Sequence, residues 1–138
     1  MTMTMRTSIW PLHKAIYARL QQDEAVLERV SGVYDFVDKN TAFPYIVVGD
    51  PTILPFETKT SYGEDITLVV HCFSQYNGKK EAYEILNLVL QSLSSKKLEL
   101  GFGFRVIDFK LDQIQVFEDI DNTTKHGVVT LHYWINNE

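Results

Sequence analysis

The stretch DITLVVHCFS, Asp65 to Ser74, limits the possible folds more than any other part of this chain. In an extended backbone, successive side chains point to opposite faces. Ile66, Leu68, Val70 and Cys72 then share one face, and Val69, His71 and Phe73 the other. A strand that is apolar on both faces belongs in the middle of a sheet with both faces covered. Just beyond it, Ala82, Ile85, Leu86, Val89 and Leu93 recur at helical spacing. This predicts a helix opening at Asn77 or Gly78, with Lys96-Lys97 at the negative end of its dipole. A central strand followed by an amphipathic helix requires a sheet with a helical layer against it.

The flanking segments extend this pattern. Thr7 or Ser8 can cap a helix over about residues 9–21, with Pro11 in its first turn and Ile9, Leu12, Ile16 and Leu20 on one side. Asp23 to Val30 reads as a second, short helix ended by Gly32. Val33 to Val37 is a strand by composition, and Tyr45 to Gly49 is a strand stopped by Pro44 and Pro51. Residues 50–63 carry no recognisable period. From Phe104 to Leu111, Ile107, Phe109 and Leu111 alternate with Asp108 and Lys110. Ile114 and Val116 then switch parity, which predicts a bulge near Asp112-Gln113. Glu118 to Lys125 reads as a turn and Val128 to Ile135 as a last strand. The order α, (α), β, β, β, α, β, β contains no repeating parallel crossover. It predicts an α+β domain: a mainly antiparallel sheet of about five strands with two main helices on one face.

A length of 138 residues suits one domain spanning 1–138. The formal net charge of -5, with basic residues only in short pairs such as Lys79-Lys80, argues against a phosphate-gripping nucleic-acid binder. Cys72 is the one cysteine, so no internal disulfide forms. The opening MTMTMRTSIWPL has no apolar h-region, and no apolar run reaches the ~20 residues of a membrane span, so neither a signal peptide nor a membrane anchor is expected.

Catalytic patterns are weak. His13, His71, His126 and His132 form no metal-ligand spacing. Cys72 and His71 are strand neighbours that point apart, so the histidine cannot activate the thiol. Gly101-Phe102-Gly103 leads into a strand, whereas a dinucleotide fingerprint leads into a helix. Glu118, Asp119 and Asp121 lack the spacing of a calcium loop. An enzyme built on His71, His132 and the acidic 118–121 turn is therefore the weaker reading, as is a small-molecule binding domain without a legible pocket.

The remaining oddity is the apolar group Ile53, Leu54, Pro55 and Phe56 inside residues 50–63, which read as a mobile loop. Either it folds back over the sheet edge, or it stays exposed as a partner site. Candidate partner-contact residues are Ile53, Leu54 and Phe56 here, with Phe117, Asp119 and Asp121 at the acidic turn.

Across nearly its whole length the chain resembles the tail completion (tail-to-head joining) proteins of long-tailed, non-contractile bacteriophages. The resemblance rests on the order of LHKAIYARL, GVYDFV, FPYIVVGD, DITLVVHCFSQYNGKKEAYEIL and DIDNTTKHGVVTLHYWI. It implies a tail-terminator-like fold with no cofactor, no metal and no chemistry. It also implies a structural virion protein at the head–tail interface, made in the host cytoplasm. Copies of the chain, single in isolation and six in a ring, would cap the head-proximal end of the tail tube. The ring would lie between the head connector's stopper protein and the major tail tube protein, with DNA passing through its lumen unbound. Another neck component, the stopper or the tail terminator proper, is the related alternative.

Overall fold

The computed structural model describes residues 5–57 and 62–137. Three helices and six strands follow in the order α1 (Ile9–Gln21), α2 (Glu24–Leu27), β1 (Val33–Tyr34), β2 (Tyr45–Val48), β3 (Thr52–Glu57), β4 (Tyr62–Ser74), α3 (Lys80–Ser94), β5 (Phe104–Glu118) and β6 (Lys125–Asn137). The sheet runs β1-β2-β4-β6-β5, with β3 also paired to β4. Every pairing is antiparallel except β1 with β2, which is parallel. The fold is the expected α+β domain, with one more strand than the sequence showed and a mixed sheet.

That sixth strand corrects the loop reading of residues 50–63. Thr52–Glu57 is a strand, with Ile53 opposite Ile66 and Phe56 opposite Gly63. β2 and β3 lie end to end along the same edge of β4, separated by Gly49-Asp50-Pro51. Pro55 is tolerated because β3 pairs on one side only, and an edge strand can spare one N–H. Tyr62 and Gly63, at the far end of the expected loop, already belong to β4, and residues 58–61 lie outside the described residues.

β4 is central, as its sequence demanded, but only one of its faces is covered by helices. Ile66, Leu68, Val70 and Cys72 are fully buried and join Val129, Leu131, Tyr133 and Ile135 of β6 in the core. Leu12, Ile16 and Leu20 of α1, Val26 of α2 and the α3 stripe from Ala82 to Leu93 close the core from above. Gly127 lets α3 come close: a Cβ there would sit 2.6 Å from Cys72 Sγ and 3.0 Å from Leu86 Cδ1. α1 begins without a cap from its own Ser8 side chain. Instead Glu64, buried in β4, accepts hydrogen bonds from the Ser8 N–H and hydroxyl (2.6 Å each) and from the Thr7 hydroxyl (2.7 Å). A tertiary carboxylate thus satisfies the positive end of the helix.

β5 contains two register shifts, one of which the sequence showed. The bulge between Leu111 and Gln113 is where the parity switch placed it. A second, between Val106 and Asp108, pushes Ile107 out to 45% exposure, so Val106, not Ile107, shares the core face with Phe109. The strand expected over 33–37 stops at Tyr34, and Phe36 is exposed.

Candidate assembly surface

The helix-free face of the sheet is built by the alternate residues of the same strands. Tyr45 lies opposite Phe73, Phe73 opposite His126, and His126 opposite Phe117, so four strands deliver one aromatic row. Ring centroids are 5.2 Å apart for Tyr45–Phe73, 4.4 Å for Phe73–His126 and 4.7 Å for Phe117–His126. Phe43 extends the row at 5.1 Å from Tyr45. His71 Nδ1 and His126 Nε2 are 2.8 Å apart, so one neutral ring donates and the other accepts. Burial, and for His71 also the neighbouring His126, lowers the pKa of both rings, while Asp50 and Asp119 respectively pull the other way. Burial, then Asp119, raises the Tyr45 pKa.

Further along the same face, His132 stacks on Trp134 at 4.1 Å and 6°. Its Nε2 meets the Asp65 carboxylate, and its Nδ1 lies 3.2 Å from Asp112 Oδ2. Asp112 is the residue displaced by the β5 bulge, and a bulge re-aims a side chain in this way. The cluster ties β4, β6 and β5 together across the open face. His132 lies opposite Thr67 and His71 opposite Val128, four residues apart on β4 (71 − 67), roughly 13 Å by strand rise. These two histidines therefore do not converge on the acidic turn. Among the described residues no group of three or more His, Cys, Asp or Glu could hold a metal. Cys72 is buried and its thiol is pushed up to about 12 by that burial, the opposite of an activated nucleophile.

The six residues singled out from sequence fall at two opposite ends of the sheet. Ile53, Leu54 and Phe56 lie on β3, beside the start of β4. Ile53 already packs against the core, and the Phe56 ring covers Gly63, where a Cβ would come within 2.2 Å of it. Leu54 alone of the three is clearly exposed, at 63%. Phe117 sits at the other end, in the aromatic row, with Asp119 in the turn beyond it. Asp121 braces that turn: its carboxylate accepts from the Thr123 and Thr124 N–H groups and the Thr124 hydroxyl, which holds its pKa down at about 2. Sequence reasoning passed over Ile120, which stands 99% exposed at the tip. Its signal was present, a lone aliphatic residue inside Glu118-Asp119-Ile120-Asp121.

A complete core on one side of the sheet and an aromatic row without a second layer on the other define a two-layer α+β domain. The chain belongs to the family of phage tail completion proteins described as Tail completion protein gp17, whose model matches residues 14–136. It is 36% identical over 135 residues to the tail completion protein gp17 of Bacillus phage SPP1, spanning 98% of this chain and 99% of that protein. The solved structure of bacteriophage SPP1 gp17 matches with a TM-score of 0.64 at 33% identity, over 94% of this chain and 95% of that one. A chain from the virion of a native gene transfer agent particle matches with a TM-score of 0.82 over 91% of this chain and 94% of that one; at 19% identity this likeness concerns the fold. The chain is thus a tail completion protein, a structural component of the phage virion.

Proposed function

We propose that copies of this chain form a ring, six in number, that caps the head-proximal end of a phage tail tube. The ring joins the tube to the head connector and leaves a passage for DNA. The stopper protein of the connector would meet one side and the major tail tube protein the other, after the chain is made in the host cytoplasm. The carrying observation is the placement of exposed apolar groups at opposite ends of one sheet. Leu54 lies beside the start of β4, Phe117 is level with Phe73 near its end, and Ile120 stands in the turn beyond. A joining protein needs two separate contact regions, and the exposed apolar side chains at the two ends are the candidates for them. The net charge of -5 suits a conduit through which phosphates slide without being held.

Antibody-gold labelling of intact virions and free tails tests the reading. Label at the head-proximal tip of both is the expected result. Label on isolated heads but not on free tails would make the chain a head-side stopper. Absence from every particle, with epitopes shown accessible after disruption, would remove the tail-cap reading.

A further inference from the structure

We propose that neighbouring copies join head to tail, the β5–β6 tip of one inserting Ile120 into a lysine-rimmed apolar pocket of the next. The proposal rests on the ring reading above and supplies the contact that reading lacks.

The tip has the form of an anchor. Ile120 is 99% exposed, yet it sits in a rigid turn: Asp121 holds the Thr123 and Thr124 N–H groups, and the Asn122 N–H bonds the Asp119 carbonyl at 3.0 Å. A preformed turn loses little freedom on docking. Glu118, Asp119 and Asp121 flank the isoleucine along the chain and give the tip a negative charge.

The pocket is the complement. It is a cavity of about 220 Å³ between the end of α3 and the start of β5. Leu93, Leu98, Val106, Phe109 and Tyr133 give it an apolar floor, and the exposed Lys96 and Lys97 stand at its rim. Arg19 fixes this rim by donating to the carbonyls of Ser92 (2.9 Å) and Lys96 (3.0 Å). The acidic residue of the lining, Asp108, has its carboxylate turned back onto the Phe109 N–H at 2.8 Å. An aliphatic side chain framed by carboxylates matches both the floor and the rim.

A chain cannot fill its own pocket. Phe109 and Ile120 are eleven residues apart on one continuous strand and its turn (120 − 109), roughly 35 Å at strand rise. Tip and pocket are different surfaces, so the contact is heterologous, and repeating it generates a closed ring or an open helix.

Disulfide trapping decides the matter, because the native Cys72 is buried and does not compete. Lys97→Cys and Ile120→Cys both replace exposed residues, so the fold is not at stake. In oxidised tail particles carrying the double variant, the chain should run as a disulfide-linked series on a non-reducing gel. Mixing the two single variants should give dimers and nothing larger, more slowly at high salt because charge steers the approach. Particles that contain the double variant but release only monomer would overturn the contact and leave the tail-cap reading standing. Dimers from I120C alone would overturn it in favour of a tip-to-tip contact. If the chain is absent from tails, the tail-cap reading fails, and the mixed single variants at high concentration judge the contact: dimer sustains it, monomer overturns it.

Discussion

The two faces of β4 differ by one residue of register and by almost everything else. On the helix side, Ile66, Leu68, Val70 and Cys72 are sealed into one core with α1, α2 and α3. On the other side, Thr67, Val69, His71 and Phe73 are only half-buried, and aromatic and imidazole rings cover one another without a second layer. Both faces looked apolar enough to be covered. The structure shows that the helices cover one face and leave the other without a second layer. Apolar character on two faces therefore identifies a central strand without telling whether the second cover is part of the same chain.

The largest effect should come from the covered face. Leu68→Ala removes a fully buried side chain and should cost about 2–5 kcal/mol in urea unfolding, whereas Val69→Ala next to it should cost about 1 kcal/mol or less. Equal losses at the two positions would mean that the faces are not energetically distinct. Glu64→Ala comes next. It leaves the Ser8 N–H and two hydroxyls without their acceptor beneath the start of α1, for an expected loss of about 1–3 kcal/mol. Amide exchange should show the first turn of α1 opening preferentially. A uniform loss of protection would assign Glu64 a general rather than a capping role.

How much of this could be read in advance follows from where each signal resides. Helix α1 and the α3 stripe were legible because their period lies within the segment itself. The Asp112 bulge was legible because Ile114 and Val116 change parity with respect to Leu111. The bulge at Ile107 was not, because Ile107, Phe109 and Leu111 imitate an unbroken alternation. β3 was missed because Pro51 stands just before it, Pro55 interrupts it, and its half-buried residues, Ile53 and Phe56, are an odd number apart, so no two-residue period survives. The aromatic row was out of reach for a different reason. Tyr45, Phe73, His126 and Phe117 come from four strands, and only their register brings them together. The family, in contrast, was legible from the order of its sequence blocks, which needs no contact to be known.

The smallest expected effect separates the faces by pH. His71 and His126 face each other, Phe73 and Phe117 from neighbouring strands, and the fields of Asp50 and Asp119. Their folded pKa values lie below the ordinary histidine value near ~6.5. As pH falls through that value, the unfolded chain takes up protons before the folded one does. The contribution of these rings is then fully present above the unfolded pKa, falls away below it and levels off beneath the folded pKa. His126→Phe keeps a ring in the row and removes one of the two titrating groups. Its urea midpoint should decline less than that of the parent chain between about pH 7.5 and pH 5. Identical slopes would mean that the imidazole pair titrates as if free in water, and the open face would then be wetter than its ring contacts imply.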